Sequence, residues 1–399
     1  MKKKEKWMKT RHRVAWAILY PILAVITYIK FPIRIKRLED RRDRPYLILF
    51  NHQTPFDQFF VGLAFKGPIY FISTEDIMSN GLVSKVIKWL LAPIPIKKQA
   101  GDFSAVMTTL RVAREGATIA MAPEGNRTYS GKTEYINPAV AGLAKKMKLP
   151  IALFRIEGGY GMEPRWSNVT RRGKMKGEVY RVIEPEEYAA LSNEELYEQI
   201  CQGLYVNEGA ADGIFRSNRQ AEYLERAMYV CPFCGLTKYE SHGNEAECLS
   251  CHRKIRYGAD KTVTGVGYEF PFRFMTEWYD YQVDFVNNLD LARFETEPAF
   301  TDRAKISEVI LNSRKQVLYQ DASVGLYGDR IVIDEKMVLP FEEVTAAACL
   351  GRNKLNIYHG GKVYQFKGSV RFNALKYVNF YYRHKNISRG DLDGKFLGL

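Results

Sequence analysis

Residues 46–57 read Tyr46-Leu-Ile-Leu-Phe50-Asn-His52-Gln-Thr-Pro-Phe-Asp57, a short apolar run followed at once by polar side chains. The apolar part predicts a buried strand, and the polar part predicts the loop that leaves its carboxyl end. Similar apolar runs predict further strands at 69–72, 118–121 and 151–156. Periodic segments between them predict helices at 81–91, 103–115 and 138–148. Strands that alternate with helices indicate an α/β domain, a mixed sheet flanked by helices, which we place at residues 45–215.

A histidine and an aspartate at the end of the first strand form a candidate catalytic pair. Asp57 follows His52 by five residues, which is close enough for its carboxylate to fold back onto one imidazole nitrogen. Such a contact fixes the tautomer and leaves the other nitrogen to take a proton from a hydroxyl group. The pair therefore predicts general-base chemistry, and the alternative is a surface histidine beside a helix N-cap.

Two further polar segments also follow predicted strands. Ala122-Pro-Glu124-Gly-Asn-Arg127-Thr comes directly after the strand 118–121, and Lys98 follows the apolar run 94–96. Ligands gather at the carboxyl ends of strands in open α/β sheets. Arg127 offers a planar guanidinium for a phosphate, and Glu124 is placed to orient a hydroxyl group. Three such segments after three apolar runs predict a substrate site.

These segments resemble the sequence blocks of the lysophosphatidic-acid and glycerol-3-phosphate acyltransferases over roughly residues 35–200. His52 and Asp57 match that family's H-x4-D dyad, and 123–127 is similar to its P-E-G-T-R block, with Asn126 in place of threonine. Residues 94–96 resemble its second block, although Lys98 stands where an arginine is usual. Residues 149–154 match the fourth block poorly, because they lack its second proline.

The resemblance implies both a reaction and the residues that perform it. A fatty acyl group passes from acyl-CoA or acyl carrier protein to the hydroxyl of 1-acyl-glycerol-3-phosphate (lysophosphatidic acid), which gives phosphatidic acid. His52 deprotonates the hydroxyl while Asp57 holds its imidazole, and no acyl-enzyme forms because neither block supplies a serine or cysteine nucleophile beside His52. Glycerol-3-phosphate or another lysophospholipid is the alternative acceptor. The implied substrate-binding residues are Glu124, Gly125, Arg127 and Lys98.

The N-terminal residues 1–44 combine positive charge with an apolar run. They hold 14 Lys and Arg against 4 Asp and Glu, which accounts for most of the net charge of +14. The run 14–29 is slightly short of the ~20 residues of a spanning helix. We expect a helix that lies on or re-enters an anionic membrane surface at the cytoplasmic face of the cell membrane. A spanning helix, a signal peptide and a soluble core helix are the alternatives.

Four of the six cysteines form two C-x2-C pairs separated by 13 residues. Without an export signal we expect a reducing compartment, where such pairs bind metal more often than they form disulfides. Four thiolates on two tight turns suit a structural tetrahedral Zn²⁺ site, and a redox pair is the alternative. We therefore predict a small zinc ribbon at 228–260, with no catalytic cofactor, ligated by Cys231, Cys234, Cys248 and Cys251.

Aromatic and β-branched residues dominate from about 262 to 399 and predict a β-rich domain that ends in a helix at 372–382. This region is weakly similar to pleckstrin-homology-like domains, and a β-rich scaffold without a ligand is the alternative. The zinc ribbon and the basic N-terminus also admit a nucleic-acid-binding protein. We expect no nucleic acid, because the positive charge flanks an apolar run. A lipid-binding adaptor without activity is disfavoured by the intact dyad.

Overall fold

The computed structural model describes residues 6–39, 43–74, 82–96, 103–310 and 315–391. Lys98, which the sequence analysis assigned to substrate binding, lies outside these ranges. The described chain forms an α/β layer, a small cysteine-rich segment and a β-rich C-terminal domain.

The α/β layer is built on a seven-stranded mixed sheet with the spatial order β1-β7-β6-β2-β5-β3-β4. All neighbouring strands are parallel except β6 and β7, which pair antiparallel. The predicted mixed sheet is confirmed. Its strands are β1 Ile33–Ile35, β2 Leu47–Phe50, β3 Ile69–Thr74, β4 Ile94–Ile96, β5 Thr118–Met121, β6 Ile151–Glu157 and β7 Met175–Ile183.

Helices cover both faces of this sheet, which explains why its central strands are apolar without alternation. Leu47 and Leu49 of β2 pack into one core with three of the helices, α4, α5 and α8, whereas Ile48 and Phe50 pack into a second core with α2. Successive residues of a strand point to opposite faces, so all four of these side chains are buried. The helices are α1 Thr10–Lys30, α2 Asp57–Ala64, α3 Leu82–Leu91, α4 Phe103–Arg114, α5 Ala139–Met147, α6 Gly159–Met162, α7 Pro185–Ala189 and α8 Asn193–Leu204.

Helix α1 lies against the sheet layer along one side and exposes apolar residues along the other. His12, Ala15 and Thr27 are buried, and the Trp16 ring packs against Gly62 and Gly67. By length and composition, α1 is the one helix among the described residues that is long and apolar enough to cross a membrane. Its exposed apolar side chains recur every three or four residues and so form one stripe: Val14, Ile18, Ile22, Val25, Ile26 and Ile29.

The cysteine-rich segment and the C-terminal domain share a single hydrophobic core. The short strands of the segment are β8 Val230–Cys231, β9 Gly235–Leu236, β10 Tyr239–His242, β11 Glu245–Cys248, β12 Lys254–Tyr257 and β13 Val263–Gly265. Helix α9, Met275–Asn287, leads into a second seven-stranded sheet that is antiparallel throughout, and helix α10, Leu375–Ser388, follows it. The strands of this sheet are β14 Phe300–Glu308, β15 Gln316–Leu326, β16 Arg330–Ile333, β17 Met337–Pro340, β18 Val344–Leu350, β19 Lys354–His359 and β20 Lys362–Gly368.

Three boundaries differ from those expected from the sequence. Strand β1 comes from the segment assigned to the N-terminus and pairs with β7, so the sheet begins before residue 45. Strand β13 extends the sheet of the cysteine-rich segment beyond residue 260. The last helix was expected at 372–382 but spans Leu375–Ser388. Its inward face includes Tyr377, whose hydroxyl donates to Asp302 Oδ2, and Asn379, whose Nδ2 donates to the Tyr229 hydroxyl. Polar residues therefore continue the helix where apolar periodicity fades.

Two helical glycines give a matched test of this packing. A Cβ added to Gly203 of α8 would lie 2.2 Å from Leu153 Cδ1, and Leu153 is fully buried in β6. A Cβ added to Gly142 of α5 would meet no atom within 4 Å. We expect Gly203→Ala to lower the free energy of unfolding by about 1–3 kcal/mol, because the packed core must shift. Gly142→Ala should raise it by about 0.5–1 kcal/mol through the lower entropy of the unfolded chain.

Urea unfolding monitored by far-ultraviolet circular dichroism measures both changes. Equal effects from the two substitutions would show that α8 does not pack against β6 as described.

Candidate active site and metal centre

Two loops meet where β2 and β5 end side by side at the same edge of the sheet. Leu49 pairs with Met121 in parallel register, so the segments 51–56 and 122–128 leave the sheet next to each other. The His52 amide donates to Glu124 Oε1 at 2.8 Å, and the Thr128 amide donates to the His52 carbonyl at 3.1 Å. The backbone of His52 is therefore fixed on both sides by the second loop.

The His52 and Asp57 side chains form the contact expected from their spacing. His52 Nδ1 lies 2.8 Å from Asp57 Oδ2, and Asp57 is fully buried while a quarter of the His52 side chain is exposed. An ionised Asp57 can only accept, so Nδ1 carries the hydrogen and Nε2 presents its lone pair. Within the described residues Nε2 has no hydrogen-bond partner, which leaves it available to a substrate hydroxyl.

The Asp57 carboxylate is fixed in position by several hydrogen bonds besides the one to His52. Its Oδ2 accepts from the Gln53 amide at 2.7 Å, and its Oδ1 accepts from the Thr54 hydroxyl at 2.7 Å. The Thr54 amide reaches both oxygens at 3.0 Å. Asp57 is also the first residue of α2, where the helix dipole favours a negative charge. The local sequence from 53 to 57 thus folds around the carboxylate that orients the imidazole.

Burial keeps the His52 imidazole uncharged near neutral pH. Desolvation lowers the pKa of His52 below its usual 6.5, and the Phe50 ring meets the imidazole in a T-shaped contact with the ring centroids 6.2 Å apart. The hydrogen bond and the charge of Asp57 act in the opposite direction, and the charges of Arg127 and Arg165 lower the pKa further. A histidine in this state is able to accept a proton at pH 7.

Glu124 and Gly125 shape the second loop. The two Glu124 oxygens accept backbone amides of His52 and Glu134, each at 2.8 Å, so the buried carboxylate ties two loops together. Burial raises the pKa of Glu124. Gly125 has φ +71°, and a Cβ there would meet nothing within 4 Å, so backbone conformation alone requires glycine. The hydroxyl contact expected for Glu124 stays a prediction beside this loop-positioning role.

Arg127 lies near the dyad with part of its hydrogen-bonding capacity unused. Its Nη1 is buried and has no hydrogen-bond partner among the described residues. Burial, followed by the charges of Arg165 and Arg352, lowers the pKa of Arg127 to about 10. An arginine that remains charged in such surroundings favours an anionic ligand.

Several residues of the site were missed by the sequence analysis. Asn51 bonds both backbone groups of Ile156, and Gln53 accepts from the Tyr160 amide at 2.9 Å. Arg165 donates to the Arg127 carbonyl at 2.7 Å. Arg165 comes after strand β6 and the short helix α6, in the connection that leaves the carboxyl end of β6, and ligands gather at such strand ends. This position was a signal that the sequence offered.

The four cysteines of the two C-x2-C pairs come together as expected. Their sulfur atoms all lie within 4.8 Å of one another, with Cys231 Sγ and Cys251 Sγ at 3.8 Å and Cys234 Sγ and Cys248 Sγ at 3.5 Å. Tetrahedral bonds of about 2.3 Å require sulfur separations of about 3.8 Å. The cluster therefore has the dimensions of a closed tetrathiolate metal site.

Part of the chain is similar to known proteins. Residues 32–156 match the model of the protein family described as Acyltransferase, a range that contains both loops of the candidate site. No curated protein matches the chain. The crystal structure of the 1-acyl-sn-glycerophosphate (LPA) acyltransferase PlsC from Thermotoga maritima is similar, with 20% sequence identity and a TM-score of 0.42 over 49% of this chain and 80% of that chain.

The family match covers the strand β2, the dyad His52–Asp57 and the loop that carries Glu124 and Arg127. The sequence blocks and the geometry of these residues therefore agree with the similarity of residues 32–156 to the family described as Acyltransferase.

Proposed function

We propose that the protein transfers a fatty acyl group from acyl-CoA or acyl carrier protein to the hydroxyl of 1-acyl-glycerol-3-phosphate, which gives phosphatidic acid. One observation carries the proposal: an uncharged His52 with a free Nε2 stands beside Arg127, whose buried Nη1 has no partner in the described chain. The imidazole can take a proton from a hydroxyl group, and the neighbouring guanidinium can bind a phosphate. An acceptor that contains a hydroxyl group and a phosphate therefore suits this site.

In the proposed reaction the acceptor oxygen attacks the thioester carbonyl, and His52 Nε2 takes the hydroxyl proton as the new carbon–oxygen bond forms. Asp57 remains ionised and stabilises the imidazolium through Nδ1. The tetrahedral intermediate collapses with cleavage of the carbon–sulfur bond, and the proton of His52 passes to the departing thiolate. His52 is then uncharged again and the dyad is ready for another cycle.

The exposed stripe of α1 supports a membrane-associated enzyme whose lipid substrates reach it from the bilayer. Neighbouring helix α3 also exposes Leu82, Val86 and Trp89, and Arg11 of α1 contacts Trp89. Because the opposite side of α1 packs on the domain, we propose that α1 lies in the interface at the cytoplasmic face instead of crossing the membrane alone.

The tetrathiolate cluster is proposed to hold one structural Zn²⁺. It shares its core with the C-terminal domain, so the ion would stabilise the region that packs against the acyltransferase domain. Glycerol-3-phosphate or another lysophospholipid remains the second candidate acceptor, since Arg127 recognises a phosphate and not the acyl chain beside it.

The reaction is tested with purified protein, acyl-CoA and a panel of acceptors that are matched in acyl chain and differ in phosphate, with products identified by mass spectrometry. We expect lysophosphatidic acid to give phosphatidic acid at the highest kcat/KM. His52→Gln should lower the rate by ~10²–10⁴-fold because no general base remains. A protein that acylates none of these acceptors, or a variant with normal turnover, would contradict the proposal.

The metal is tested by elemental analysis of protein purified without added metal. We expect one zinc per chain in the native protein and much less in Cys234→Ser, accompanied by a lower unfolding temperature. Cys201→Ser is the matched control, because Cys201 lies in α8 outside the cluster. A folded native protein without metal would remove the zinc site.

Membrane binding is tested by sedimentation with anionic vesicles. Replacing Ile18 and Ile22 together by glutamate should abolish most binding, because both side chains are more than half exposed on the stripe of α1. In the matched control, glutamate replaces Val338 and Val370, which are two exposed residues of the C-terminal domain. Substitution is preferred to truncation because residues 33–35 belong to the sheet. If the two double variants bind the vesicles equally well, then the part of the protein that binds the membrane is not the stripe of α1.

A further inference from the structure

The C-terminal domain reaches the candidate active site through the turn between β18 and β19. Buried Arg165 connects the two parts: its guanidinium donates to the Arg127 carbonyl at 2.7 Å, to the Cys349 carbonyl at 3.0 Å and to the Gly351 carbonyl at 3.2 Å. The loop that carries Arg127 and the end of strand β18 are thereby fixed relative to each other. Arg352 lies in this turn.

Arg352 is oriented by residues of the acyltransferase domain. Its Nη2 pairs with Glu163, and its Nη1 lies 3.3 Å from Asn168 Oδ1. Its Nε is buried and has no hydrogen-bond partner in the part of the chain that the structure describes. Glu163 also attracts Lys30 Nζ, at 3.5 Å, from the end of α1. Two distant parts of the chain, the end of α1 and the turn between β18 and β19, therefore converge on one buried carboxylate.

The charges of this cluster do not balance among the described residues. Lys30, Arg127, Arg165 and Arg352 bring four cations, and Glu163 is the carboxylate that pairs with two of them. Asp57, which also acts on Arg127, is already occupied by His52 and the amides of 53 and 54. Cations this close and partly desolvated repel one another unless an anion joins them. A buried nitrogen of Arg127 and one of Arg352 have no hydrogen-bond partner among the described residues.

We propose that Arg352 of the C-terminal domain binds the phosphate of the acyl acceptor together with Arg127, and so makes this domain part of the acceptor site. This inference rests on the proposed function. A phosphomonoester carries a charge of about −1.5 to −2 at pH 7 and has three acceptor oxygens, enough for two guanidinium groups. Glu163 positions Arg352 and does not touch the substrate.

The location beside His52 favours the acceptor phosphate over the phosphates of the acyl donor. Arg127 and Arg165 act electrostatically on the base itself. In a glycerol phosphate the phosphate is a few bonds from the reacting hydroxyl. In acyl-CoA and in acyl carrier protein, the pantetheine arm separates every phosphate from the thioester.

The test compares steady-state kinetics of the full-length protein and Arg352→Gln with two acceptors, lysophosphatidic acid and the monoacylglycerol of the same acyl chain. We expect the KM for lysophosphatidic acid to rise about 10- to 100-fold, because charge-assisted hydrogen bonds are lost. The kcat and the KM of the acyl donor should stay within about threefold. The rate with monoacylglycerol should not change, and Arg352→Lys, which keeps the charge, should show a smaller rise.

Arg303→Gln is the matched control, since Arg303 also belongs to the C-terminal domain but forms an exposed ion pair with Asp321. It should behave as the wild type. An equal loss with both acceptors would show that Arg352 only holds the domains together. A rise in the donor KM alone would assign the cluster to the donor's phosphates. An unchanged acceptor KM overturns the inference directly.

Calorimetric binding of glycerol 3-phosphate separates this inference from the proposed function. If the wild type binds glycerol 3-phosphate, Arg352→Gln weakens that binding, and the wild type does not acylate lysophosphatidic acid, then the anion site is retained and the proposed reaction is rejected. If the wild type and Arg352→Gln acylate lysophosphatidic acid equally well, then the proposed reaction is retained and the inference about Arg352 is rejected.

Discussion

The hydrogen bond between His52 Nδ1 and Asp57 is the constraint on which the rest of the site depends. Asp57 is fully buried, and amides and a hydroxyl of residues 53 and 54 fill its remaining acceptor positions. A buried carboxylate in this state is stable only while its donors stay in place. The loop 51–56, the start of α2 and the orientation of the imidazole are therefore one unit, in which Nε2 has no hydrogen-bond partner among the described residues.

The site is completed by parts of the chain that are far apart in sequence. The parallel pairing of β2 and β5 brings Glu124 and Arg127 to the dyad, and the end of β6 brings Glu163 and Arg165. The C-terminal domain adds Arg352 through a turn that Arg165 fixes. The buried Arg226 strengthens the same interface, because it donates to the Trp166 carbonyl and to the Val370 carbonyl. The C-terminal domain is therefore held next to the candidate site by buried arginines of both parts of the chain.

Much of this arrangement could be predicted from the sequence, because it follows local rules. The strands of the α/β layer are short apolar runs, and the carboxyl ends of parallel strands collect functional residues, so His52, Asp57 and Arg127 could be placed at one edge. The four cysteines could be grouped from spacing alone. Arg352 could not be found in this way, because its proposed role depends on how two domains pack, and no periodicity encodes that contact. Glu124 shows another limit: residue type indicates polar chemistry, whereas only the fold reveals that both oxygens bind backbone amides.

The central claim is that His52 is an uncharged base at neutral pH and that Asp57 orients it. The most direct measurement is the pH dependence of kcat/KM for acyl transfer by the wild type and by Asp57→Asn. Burial lowers the pKa of His52, so the acid limb of the wild type should have its midpoint below pH 6.5, with full activity above it. Asp57 raises that pKa, so Asp57→Asn should move the midpoint to lower pH while it lowers the plateau. A midpoint above 6.5 in the wild type, or an upward shift in the variant, would contradict the account.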